Sequence, residues 1–137
     1  MAVLLRPLRN LCVLCVRYSV FIQCLRHDKP QTPRRFPIAE AFIEVEAANL
    51  MRWKACEKID AHQNAGAEAN MAKHLAAMAS WKAANVCLQT HGGFGFACEY
   101  DVERKFRETR LYQVAPISTN MIFSYVAEHI LGLPRSF

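Results

Sequence analysis

Eight alanines fall between Ala67 and Ala84, and the stretch that holds them runs into three glycines packed within Gly92–Gly95. Alanine favours helix, and its small side chain lets a second helix come close. The spacing predicts a helix over about Ala67–Thr90. Met71, Leu75 and Met78 form one apolar row along it, enlarged by Trp81, Val86 and Leu88. Gln89–Tyr100, read as QTHGGFGFACEY, then ends the helix. Glycine adopts backbone angles that other residues avoid and lets a backbone approach a partner closely. Locally a helix stop is the commoner reading of such a cluster. A backbone laid against a phosphate or a flat ring needs the same chemistry.

The rest of the body also reads as helix. Pro37 suits a first helical position, where its missing N–H costs nothing, so a first helix is expected over about Pro37–Ala61. Ile38, Phe42 and Val45 recur at helical spacing, with Leu50 and Trp53 on an adjoining stripe. Glu40, Glu44 and Glu46 lie near its positive end and Lys54 and Lys58 near its negative end, as the helix dipole favours. With no histidine beside it, the acidic cluster reads as a solvated face. Tyr100–Arg110 is dense in charge, with Val102 and Phe106 marking one buried edge of a short helix. Pro116 interrupts the apolar Leu111–Ile117 segment. Ser118, Thr119 and Asn120 offer N-cap side chains to a last helix over about Thr119–Leu131, where Ile122, Val126 and Ile130 share a face. Gly132 and Pro134 stop it. No strand pattern is found, so the fold class is all-α, a helical bundle.

Charge divides the 137-residue chain, whose length suits about one domain. Residues 1–36 hold seven Lys/Arg and one acid, whereas residues 37–137 hold ten Lys/Arg and eleven acids. The basic balance therefore belongs to a leader, and the body lacks the footprint of a nucleic-acid surface. Residues 1–35 are expected to stand outside the fold, with Pro30 and Pro33 marking an extended linker. The alternative is a mitochondrial presequence built on Arg6, Arg9, Arg17 and Arg26. The apolar run Leu11–Leu25 is broken by Arg17 and too short to span a bilayer, which takes about 20 residues. Cys12 and Cys15 form a lone C-x-x-C with no second pair, so no zinc site follows from them. The other cysteines are scattered in helical patterns, which fits a reducing compartment and a cytoplasmic reading. His74 has no partner at i+4 and reads as a surface or interface histidine. Ser80 and Ser124 lie mid-helix, away from any turn that would expose a nucleophile.

In order and spacing, the motifs resemble one family. Gln89-Thr-His-Gly92-Gly93-Phe-Gly95-Phe96 follows the alanine-rich helix. Then come Tyr100-Asp-Val-Glu103-Arg104-Lys-Phe-Arg107-Glu108, Leu111-Tyr-Gln-Val and Ser118-Thr119-Asn120. Over about Phe36–Phe137 this is similar to the C-terminal helical domain of the acyl-CoA dehydrogenases, FAD flavoproteins that take acyl-CoA as substrate and form oligomers through helical faces. The resemblance implies that Gln89, Gly92 and Gly93 reach the FAD of a neighbouring subunit, and that Ser118 and Asn120 stand near the flavin. It implies that Glu103, Arg104 and Arg107 fix the turn by ion pairs. It also marks a departure: many members carry a catalytic glutamate in a Y-E-G-T turn, and here Pro116 stands in its place. No residue of this chain is assigned as catalytic base or metal ligand, and Glu99 and Glu108 are not promoted to that role. The implied function is the C-terminal portion of an acyl-CoA dehydrogenase, inactive alone. The alternative is a non-catalytic interaction or oligomerisation module.

Overall fold

A computed structural model describes residues 32–135. Four α-helices follow in order: α1 (Thr32–Asp60), α2 (Gly66–His91), α3 (Val102–Leu111) and α4 (Thr119–His129). Two 3₁₀ turns, Gly92–Phe96 and Cys98–Tyr100, join α2 to α3. Among the described residues there is no strand, and no helix is long and apolar enough to cross a membrane. The all-α expectation holds. The C-x-x-C and the presequence reading lie outside the described residues.

Helix α1 starts at Thr32, earlier than Pro37 and inside the stretch read as linker. Pro33 sits in the first turn, where a helix N–H has no partner in any case. Pro37 lies within the helix and removes a single bond near its start. The helix therefore survives both prolines.

Helices α1 and α2 form the central pair, and their contact is made by small side chains. On α1 the buried row is Ile38, Ala41, Val45, Ala48 and Ala55; on α2 it is Ala72, Ala76, Ala79, Ala83 and Cys87, with Ala77, Ser80 and Ala84 beside it. The expected stripes are thus only partly right. Ile38 and Val45 are buried, but Phe42, Leu50 and Trp53 face outward, Leu50 at 70% exposure. On α2, Leu75 and Met78 also point away from the pair. Two helices that meet through alanine bring their backbones so near that bulkier residues are pushed to the flanks. Ile38, Ala41, Ala83, Cys87 and Val102 form one cluster, so α3 closes on the same core. Phe106 of α3 lies against Trp81 at 4.5 Å between ring centres. Ile122 of α4 is fully buried, while Val126 is half-buried and Ile130 exposed. His74 meets Phe123 at 4.7 Å, which makes it an α2–α4 contact. Burial, with Lys73 next to it, lowers its pKa.

Charges tie the helices at their edges. Lys82 of α2 reaches Glu40 at 2.8 Å and Glu44 at 2.6 Å on α1, so the acidic face is half of an interhelical pair. Being largely exposed, such pairs add about 0–1 kcal/mol each. Lys58 of α1 meets Glu68 of α2 at 2.5 Å, and the Glu68 side chain is buried. The Lys58 hydrogen bond, helped by the residue's own backbone, holds the Glu68 carboxyl below its ordinary value of 4.5. Arg104 does the same for Asp101, below 3.8. For Glu108 burial pushes upward, but hydrogen bonds from Lys105 and Arg104 outweigh it and the net shift is down. Each of these carboxylates titrates lower when folded than when unfolded. Their contribution is full above the unfolded values and is lost as pH falls through the lowered folded ones. His74, lowered as well, adds a loss that begins as pH falls through its ordinary value of 6.5, so the urea midpoint is expected to be flat only above about pH 7, to slip below about pH 6.5 and to drop further below about pH 4.5. Glu68→Gln should be less stable at pH 7 and show a shallower acid limb. An unchanged acid limb would contradict the assignment.

Candidate functional site

The glycine turn begins where α2 runs out of helical partners. Gly92 takes φ +58° and ψ −135°, a conformation open to glycine, and its N–H donates to the Gln89 carbonyl. Gly95 is needed for a different reason. It is buried, and a Cβ there would stand 2.9 Å from the Leu88 carbonyl oxygen and 3.0 Å from Leu88 Cδ1. Gly93 meets neither demand. Its φ is not in the left-handed range, and a Cβ on it would meet nothing within 4 Å. Gln89, Gly92 and Gly93 are all exposed. Phe94 and Phe96 follow them at 66% and 71% exposure. The turn thus presents uncovered backbone followed by two uncovered aromatic rings. Phe94 also touches Tyr100 at 5.7 Å.

Asp101 then sets α3. It sits in the left-handed region at φ +60° and is gripped by Arg104 at 3.0 Å, while Arg104 also reaches Glu108 at 2.7 Å. Arg104 thus fastens the residue that opens α3, and its ion pairs stay with Asp101 and Glu108 rather than the glycine turn. Arg107 pairs with Glu103 within α3 and does not reach the turn. Glu108 is engaged by Lys105 as well, at 3.0 Å. Glu99 is exposed in the second 3₁₀ turn.

Ser118 and Asn120 lie on a second feature, a cleft of about 350 Å³ lined by Met78, Arg110, Gln113, Val114, Ser118, Thr119 and Asn120. Ser118 is the N-cap of α4, and its hydroxyl oxygen accepts from the Met121 N–H at 3.4 Å. Thr119 instead donates from its hydroxyl to the Gln113 carbonyl at 3.1 Å. Asn120 is exposed in the first turn. Pro116 is exposed in the preceding connection.

The five site residues thus form two groups within one chain. Met78 borders the cleft, and Gln89 lies three turns further along α2, about 16 Å at 1.5 Å per residue. Sequence reading missed Lys73, whose ammonium donates to the Tyr112 carbonyl at 2.5 Å and to the Ile117 carbonyl at 2.6 Å. The one available signal was a cation on an alanine-rich helix with no acid at i+3 or i+4. Among the described residues no group of three or more His, Cys, Asp or Glu could hold a metal ion.

Comparisons with known proteins agree with this architecture. Residues 31–131 match the family model for the acyl-CoA dehydrogenase C-terminal domain. Acyl-CoA dehydrogenase FadE12 of Mycobacterium tuberculosis is 45% identical over 103 residues, covering 74% of this chain and 26% of the relative. Glutaryl-CoA dehydrogenase of Desulfococcus multivorans is 34% identical over 100 residues, with 72% and 26% covered. The 3-(aryl)acrylate reductase of Clostridium sporogenes is 31% identical over 97 residues, with 71% and 26% covered. The chain spans about a quarter of the length of these relatives. A match across the helices, the glycine turn and the Ser118 cap together places the chain in the acyl-CoA dehydrogenase family, as a C-terminal helical domain.

Proposed function

We propose that this chain supplies the C-terminal helical part of an FAD-dependent acyl-CoA dehydrogenase, contributing flavin contacts and a subunit interface. The observation that carries the reading is Gly93. Neither its backbone angle nor its packing within the chain calls for glycine, so an external flat group against the turn gives the lack of a side chain a purpose. Gln89, Gly92 and Gly93 would hold one stretch of FAD, and Ser118 and Asn120 another. The separation of these two groups along α2 suits a site completed by two subunits. When bound, FAD serves as hydride acceptor for an acyl-CoA substrate.

What the chain's own residues do is bind and orient. The Gln89–Gly93 turn offers backbone at close range, and Ser118 offers a hydroxyl held by its capping bond. Among the described residues no acid is assigned as the base that would take a substrate proton. Pro116 has no titratable group, and Glu108 is held by two cations. The chain alone is therefore inactive in acyl-CoA dehydrogenation. Turnover of an acyl-CoA by the purified chain with an electron acceptor would refute that.

The test of the flavin reading is Gly93→Val, with FAD added to the chain and amide NMR shifts followed. FAD should shift Gln89, Gly92, Gly93, Ser118 and Asn120 in the unsubstituted chain. The variant should lose affinity about tenfold or more while keeping its melting temperature, because the added side chain enters open space. No shift at any of the five positions would sink the proposal. Equal loss of fold in the variant would favour a plain helix stop.

A second reading, a non-catalytic oligomerisation module, is favoured by one observation. Phe42, Ile43, Leu50 and Trp53 stand exposed along α1, and Met121 and Phe123 along α4. Faces of this kind mark contact with another protein. Under this reading sedimentation shows an oligomer and FAD produces no shifts; a strictly monomeric, folded chain would contradict it.

A further inference from the structure

We propose that Lys73 is a positioning residue that fixes the Ser118–Asn120 segment to α2. Its functional meaning rests on the flavin reading above; its structural content does not. The connection from α3 to α4 bonds mostly to itself, with the Gln113 N–H on the Arg110 carbonyl and the Val114 and Ala115 N–H groups on the Leu111 carbonyl. Pro116 has no N–H to donate. The Thr119 N–H and hydroxyl both go to one carbonyl, that of Gln113, each at 3.1 Å, which closes the connection on itself without attaching it to the central helices.

Lys73 supplies that attachment. It donates to the carbonyls of Tyr112 and Ile117, which bracket the connection at the end of α3 and the approach to Ser118. Tyr112 caps the C-terminal end of α3, where a cation is favoured by the helix dipole. Lys73 sits on α2 between the buried Ala72 and Ala76, so the head group starts from a packed helix. Burial lowers the Lys73 pKa by disfavouring the charged form, which the two carbonyls oppose. Ile117 and Lys73 both border an alanine-lined groove of about 260 Å³ between α1 and α2. Ser118 follows directly in the chain. Lys73 thus fixes the residue directly before the one that caps α4 and lines the cleft.

Lys73→Met keeps the apolar stem and removes the donors. Amide exchange by NMR should become about tenfold or more faster at Val114, Ala115 and Thr119, while α1 and α2 amides keep their rates. The Lys73→Arg variant should stay within about threefold of the original, because a guanidinium also donates to two carbonyls. With FAD present, Lys73→Met should lose the shifts at Ser118 and Asn120 and retain those at Gly92 and Gly93. Unchanged exchange in the connection would overturn the proposal, as would equal acceleration in α1 and α2 or equal loss in the Met and Arg variants. If FAD shifts nothing in the unsubstituted chain, the flavin reading fails and the exchange rates alone decide the role of Lys73.

Discussion

Ala83→Leu is expected to lower stability by about 3 kcal/mol, read as a fall in the urea midpoint. Ala83 is 2% exposed and packs with Ile38, Ala41, Cys87 and Val102, where α1, α2 and α3 meet. Leucine adds three carbons to a site with no room for them. The helices must then separate or the side chain must leave its rotamer. Separation would also loosen the nearby alanine contacts, because the α1–α2 seam depends on short distance rather than on large side chains. Ala47→Leu is the control. Ala47 is exposed on α1, so the same added bulk should change stability by no more than about 0.5 kcal/mol. Similar losses in both variants would mean that the alanine seam is not what holds the pair.

Gly95→Val should cost about 2–3 kcal/mol, again by urea or thermal unfolding. The obstacle is space rather than backbone angle. The new Cβ would face the Leu88 carbonyl oxygen at 2.9 Å and Leu88 Cα at 3.3 Å, both fixed by the last turns of α2. Relief requires the first 3₁₀ turn to lift from α2, which would expose the edge of the core beneath it. The other glycines of the turn grade the effect. Alanine at Gly92, with φ +58° and ψ −135°, should cost about 1–3 kcal/mol of backbone strain. Valine at Gly93 should be close to neutral for folding. A reversed order, with Gly93 the most sensitive, would refute this division of roles.

The three glycines show how far sequence reading reaches. Their clustering marked a turn, and the neighbouring motifs marked the family. Which glycine served backbone angle, which served packing and which served neither was not legible. That depends on what lies next to each Cα, and Leu88 is brought over Gly95 by the curl of the chain after α2. The apolar stripes failed for a related reason. Phe42, Leu50, Trp53 and Met78 satisfy helical periodicity, but periodicity ranks residues by hydrophobicity and takes no account of interhelical distance. Once Ala41, Ala48, Ala76 and Ala83 bring α1 and α2 together, the large residues fall outside the seam. Lys73 was overlooked because its partners are backbone carbonyls 39 and 44 residues away, and a carbonyl has no letter in a sequence.

Local chemistry was enough to specify the helices, their order and the turn between α2 and α3. Alanine propensity, proline and glycine stops and the Ser118 cap all act within a few residues of one another. Long-range contact was needed to decide which faces of those helices are buried and where the two groups of site residues stand. The small seam between α1 and α2, and the grip of Lys73 on the α3–α4 connection, arise between residues far apart in the chain, and their energies exist only once the helices have met.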